Sequence, residues 1–184
     1  LKLAGETLGT DDGFAMAPYI RESRRLIART VVTEAHVGAE QRRAAGHPDM
    51  PELGLPAAHA FPDSVGIGHY RLDLHPTAAN RNSLYVEAAP FQIPLGSLIP
   101  VKTKNLLAGA KNLGVTHITN GCYRLHPVEW NIGEAAGALA EWCLDHHLTP
   151  SQSHADPGQV QAFQGHLKEH GFSLSWLWED MASK

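Results

Sequence analysis

Segment 105–137, NLLAGAKNLGVTHITNGCYRLHPVEWNIGEAAG, constrains this chain more than any other part of it. It opens on a short apolar run at 106–108 that breaks at Gly109, then crosses a stretch dense in Asn, His, Thr and Arg. A short apolar run flanked by turn formers reads as a buried parallel strand. Asn131, followed three residues later by Glu134, reads as a helix start with an Asn form of the capping box. Ile132, Ala135, Ala136, Leu139, Ala140 and Cys143 then supply one apolar helical face through to His146. A strand, a polar loop and a helix N-terminus in that order predict an α/β arrangement with a crevice suited to an electron-rich ligand.

The rest of the chain divides at this segment. Residues 1–104 read as a largely β segment and 105–184 as a domain piece with terminal helices. The tail of a helix is expected at 1–8, a turn at 10–13, a strand at 25–33 and a short helix at 34–46. Four prolines make 47–62 an irregular loop. Strands are expected at 64–74, 84–88 and 91–99, the last bent or placed at an edge by Pro94 and Gly96. A final helix spans 157–171, with Val160, Phe163 and Leu167 inward and Gly171 closing it.

Composition narrows the function classes. A hydrophobic content of 43% against 18% charged residues suits a soluble globular protein. The net charge of −4, with Lys and Arg dispersed outside 21–25, leaves no electrostatic footprint for nucleic acid. No apolar run has membrane-spanning length and no signal peptide is visible, so no membrane is expected and a cytoplasmic location is the default. Cys122 and Cys143 make neither a disulfide framework nor a zinc spacing. The 12 histidines include no H-E-x-x-H pattern, and the adjacent His146 and His147 complement a helix C-terminus, so no metal is expected.

Several residues carry two readings each. Gly109 and Gly133 permit close approach of a ligand to backbone, or let a helix pack tightly. Arg124, His126 and Glu129 could bind an anionic substrate and move protons, or Arg124 and Glu129 could form a loop-shaping salt bridge. His117 stands beside turn residues Thr116, Thr119 and Asn120. Arg21, Arg24 and Arg25 could grip a carboxylate or phosphates, or form a solvated face with Glu22. Asp73 and His75 share one face at a strand end.

Segment 105–137 also closely resembles the C-terminal flavin-contacting segment of FAD-dependent oxidoreductases whose FAD domain is Rossmann-like. The resemblance continues in PYIRESRR at 18–25, FPDSVGIG at 61–68, DLHP at 73–76, PFQIPLG at 90–96 and LIP at 98–100. It implies FAD contact at Gly109, Asn131, Ile132, Gly133 and Glu134, and catalytic roles for Arg124, His126 and Glu129. It implies substrate binding by Arg21, Arg24, His75 and His117, with hydride transfer from a small-molecule substrate to FAD. Members of that family begin with a strand and a G-x-G-x-x-G turn, which this sequence lacks; Gly66, Ile67 and Gly68 are followed by His69, Tyr70 and Arg71. The chain is therefore expected to be the C-terminal portion of a longer flavoprotein. It would work with an N-terminal FAD-binding portion of the same protein or a separate chain. The alternative is a non-enzymatic module that acts only through that pairing.

Overall fold

A computed structural model describes residues 9–14, 20–22, 24–77, 79 and 82–177. The expected helix tail at 1–8 lies outside these residues, as do Pro18, Tyr19 and Ser23 of the PYIRESRR run.

The chain is organised about residues 90–100, every one of which is buried. Within them β6 (Phe91–Pro94) runs antiparallel to β3 (Ser64–Gly68), pairing Gly66 with Ile93, Ile67 with Gln92 and Gly68 with Phe91. Pro94 lacks a ladder donor, and the chain leaves the strand for a 3₁₀ turn, Leu95–Leu98. A buried turn leaves backbone groups that must be paired. They are satisfied by segments that cross it: Ser97 O accepts from Gly114 N at 2.8 Å, Leu98 O from Ala108 N at 2.9 Å and Ile99 O from Arg29 N at 3.0 Å.

Around this spine lie α1 (Glu34–Val37), α2 (Ala39–Ala44), β1 (Asp49–Met50), β2 (Leu55–Pro56), β4 (Leu72–Leu74) and β5 (Leu84–Val86). There follow α3 (His117–Tyr123), α4 (His126–Asp145), α5 (Pro150–Ala155) and α6 (Pro157–Glu169). Helices and strands are mixed, and among the described residues the sheets are three antiparallel pairs: β1–β2, β3–β6 and β4–β5. One contiguous core runs from Val32 to Leu174. At its centre Tyr123 stacks on Phe91 at 4.2 Å and donates its hydroxyl to Gln92 O at 2.7 Å. Burial pushes the Tyr123 hydroxyl well above its ordinary range, so it stays a neutral donor. Among the described residues no helix is long and apolar enough to cross a membrane.

Several expectations are corrected. Residues 106–108 form no strand: Leu106 is exposed, and Ala108 N bonds Leu98 O outside any ladder. Residues 25–33 make only isolated bridges, Ala28 to Pro100 and Val32 to Val115, the latter parallel. The Pro-rich stretch holds a small hairpin, β1–β2, turned by Gly54 at φ 62° and tied to α2 by an Arg43–Asp49 ion pair at 2.7 Å. The expected loop through Cys122 is helix α3, because Thr116 and Thr119 cap each other reciprocally: Thr116 Oγ1 accepts from Thr119 N at 3.1 Å, and Thr119 Oγ1 from Thr116 N at 2.9 Å. Helix α4 begins at His126, ahead of the expected Asn131, with Pro127 in its first turn where a missing N–H costs nothing. Gly171 takes φ 84° just beyond α6, as expected.

A histidine pair pins the loop after β2 to α1. His36 and His59 rings lie 5.0 Å apart, and His59 meets Phe61 edge-on at 4.7 Å. His36 Nδ1 accepts from Thr33 N at 3.1 Å. Burial holds His36 below its ordinary 6.5, helped by His59 and Arg42 and opposed by Glu34. Burial, then Arg42 and His47, lowers His59 likewise. Both imidazoles fold neutral, so their contribution is complete above the ordinary value and is lost as pH falls through the lowered ones. The melting temperature should therefore drop between about pH 7.5 and pH 5.5. The drop should be smaller in a His36→Gln/His59→Gln variant, as differential scanning calorimetry would show; parallel slopes would remove the pair from the explanation.

Candidate cofactor-facing site

Arg124 closes α3 and is 6% exposed. A guanidinium cannot lose its charge at workable pH, so burial demands partners. Its Nε pairs with Glu22 Oε1 at 3.2 Å, and its Nη2 reaches Asp73 Oδ2 at 3.7 Å and donates to Asp73 O at 2.9 Å. Asp73 also stands 3.6 Å from Nε2 of the half-exposed His75. The expected alternative, an Arg124–Glu129 bridge, is not formed. Glu129 lies in the first turn of α4, where its carboxylate complements the helix dipole. Gly121 completes the junction: a Cβ there would sit 2.9 Å from both N and O of Asp73, so only glycine lets α3 press on the β4 backbone.

The cofactor candidates divide between the faces of α4. Successive helical residues are about 100° apart, so Asn131 and Gly133 point nearly opposite ways. Asn131 faces β3, donating Nδ2 to Ile67 O at 3.3 Å. Ile132 is wholly buried in the core. Glu134 is exposed and borders a separate crevice with His170 and Phe172. Gly133 faces Gly109, whose carbonyl oxygen would lie 3.2 Å from a Cβ at Gly133. Gly133 is seven residues past the first residue of α4, so the helix N-terminus expected at Asn131 is corrected and the N–H of Gly133 is not among the free ones of the first turn. Among the described residues nothing lies within 4 Å of a Cβ position at Gly137 or at Gly109.

His126, Trp130, Gly133, Gly137 and Leu144 fall on one arc of α4 by their spacing. Trp130 is 67% and Leu144 75% exposed, so this arc is a bare face bracketed by large apolar side chains. The opposite arc, Val128, Ile132, Ala135, Leu139 and Cys143, is buried. His117 is exposed as the first residue of α3, and Arg21 and Arg24 are exposed beside Glu22. The structure thus brings together Gly109 with Gly133, and Arg124 with His75 through Asp73. It separates Asn131 and Ile132 from Gly133. Sequence reasoning missed Glu22 as the partner of Arg124 and Gly121 as a packing glycine; the small residue inside TNGCY was the available signal for the latter. Burial pushes the Cys122 thiol up and does the same to Cys143, against a Ser153 contact that lowers it, so neither is a ready nucleophile.

A family profile described as FAD dependent oxidoreductase matches residues 3–167. No curated protein and no solved structure matches the chain.

Replacing Arg124 by Met should cost about 3 kcal/mol, because Glu22 and Asp73 are left without their cation. Glu129→Gln should stay within about 0.5 kcal/mol of the parent. Urea midpoints at constant slope would check this; equal losses would restore the Arg124–Glu129 bridge.

Proposed function

The chain belongs to the FAD dependent oxidoreductase family, and on that premise we propose that the bare face of α4 and the Gly109 loop form the wall against which the flavin ring lies. One observation carries the fit. Among the described residues, and apart from the adjoining chain itself, a side chain at Gly109 or Gly137 would meet no atom within 4 Å, and one at Gly133 would meet the Gly109 carbonyl alone. The exposed helix surface at Gly137 and the adjoining Gly109 loop therefore offer peptide to a flat ring, with the exposed Trp130 indole on the same arc. FAD bound here supplies the two-electron acceptor for hydride transfer from a small-molecule substrate.

The chain's own residues then have distinct tasks. Gly109, Gly133 and Gly137 admit the ring. His126 lies on the same arc one turn before Trp130, and holds or releases the substrate proton. Arg124 is a positioning residue: its pairing with Glu22 and Asp73 sets the elbow between α3 and α4, and so the angle of the wall. His75, exposed beside Asp73, and His117, Arg21 and Arg24 are the polar groups open to a substrate.

The phosphate-binding part of the cofactor site lies, in this proposal, on a Rossmann-like portion of the same polypeptide or on a second chain. Gly66 and Gly68 do not substitute for it: they sit in β3, where a Cβ at Gly68 would meet the Phe91 ring at 2.5 Å and Val128 at 2.9 Å. The exposed Trp130 and Leu144 suit such a partner surface.

Valine at Gly133 or Gly137 of the flavin-loaded protein should lower bound FAD at least about tenfold, because the ring can no longer approach the peptide. Gly137→Val has no described protein neighbour to displace, so the flavin-free variant should melt no lower than the flavin-free parent. Asn131→Ala should retain flavin. Visible absorbance per protein after desalting reads all three; full flavin in both valine variants would refute the wall.

A further inference from the structure

A cavity whose lining includes none of Gly109, Gly133 and Gly137 lies beside residues 99–106. Residues 27–29 and 99–101 run side by side, with Arg29 N donating to Ile99 O at 3.0 Å and Val101 N to Ile27 O at 2.9 Å. This places Arg29 beside the segment that follows. That segment continues through Lys102, Thr103 and Lys104 to Asn105, which takes the left-handed φ of 53° that Asn tolerates. Together with the start of α5 it encloses about 360 Å³, the size of a small-ligand site.

The lining charge is one-sided. Arg29, Lys102 and Lys104 all border the cavity, and among the described residues no Asp or Glu does. None of the three forms an ion pair with a described carboxylate, although the chain as a whole carries a net −4. Thr103 and Ser151 add hydroxyl groups to the same lining. Three cations facing one recess raise the local concentration of anions. Lysine binds phosphate as a point charge and arginine as a fork of donors.

We propose that this cavity binds a small, multiply charged phosphate-bearing ligand, at a site separate from the flavin wall. The proposal uses none of the residues assigned to that wall and stands whether or not FAD lies there. A diphosphate group matches the recess in charge and in size. The occupant proposed is a free phosphate ester, and the second arm of the test separates it from the pyrophosphate of FAD.

Inorganic pyrophosphate should be titrated calorimetrically into the full protein at low and at physiological salt. The expected result is saturable one-to-one binding that weakens with salt. Removing two charges in Lys102→Gln/Lys104→Gln should weaken it at least about tenfold, and Arg29→Gln should weaken it too, with melting curves unchanged because all three side chains are exposed. Absence of saturable binding at millimolar pyrophosphate, or equal binding by the variants, would overturn the site. In the second arm the titration is repeated with FAD saturating. Unchanged pyrophosphate affinity supports a separate site; competition, with FAD loss in the lysine variant, would make the cavity part of the cofactor site and overturn the proposal.

Discussion

Burial of the Arg124 guanidinium is the condition that the rest of this structure meets. A cation 6% exposed without partners would cost several kcal/mol. Glu22 and Asp73 supply the countercharges, and the Asp73 carbonyl adds a hydrogen bond. Those three contacts tie together the N-terminal segment, strand β4 and the end of α3. Gly121 makes the arrangement possible by letting α3 lie directly on the Asp73 backbone. Once that junction is set, Leu125 turns the chain into α4 with little freedom in direction.

Helix α4 then does two jobs on two faces. Val128, Ile132, Ala135, Leu139 and Cys143 anchor it in the core beside β3 and α6. The arc from His126 through Trp130 to Gly137 carries no core contacts, and it has glycine where other helices carry side chains, with the Gly109 loop against Gly133. Glycine inside a helix costs roughly 0.5–1 kcal/mol relative to alanine. Gly133 avoids a close contact with Gly109, which is a structural reason for its presence. Gly137 avoids none among the described residues, so its cost has no structural return there, and the proposed flavin contact would supply one.

The sequence showed much of this fold and less of the site. The apolar periodicity at 132–143 marks the buried face of α4 correctly, apart from Ala140, which is exposed. Val160, Phe163 and Leu167 of α6 are buried as their spacing requires. The start of α4 was obscured because Asn131 and Glu134 mimic a capping box inside a longer helix, while the real start follows Leu125 with no side-chain cap. Residues 106–108 have the composition of a buried strand but no ladder partner among the described residues. Helical phase was available in the sequence and separates Asn131 from Gly133 once the true start is known. The partners of Arg124 were not available, because nearby Glu129 was the local choice and Glu22 and Asp73 are reached only through the fold.

Amide hydrogen exchange, compared between flavin-loaded and flavin-free protein, tests the assignment of the two faces most directly. FAD should slow exchange at 107–110 and 130–137 through contact with the Gly109 loop and the bare arc. It should leave β3 and residues 170–176, on the Asn131 side of α4, unchanged. Protection confined to the Asn131 side, with none at Gly109, would contradict a flavin wall on the glycine face.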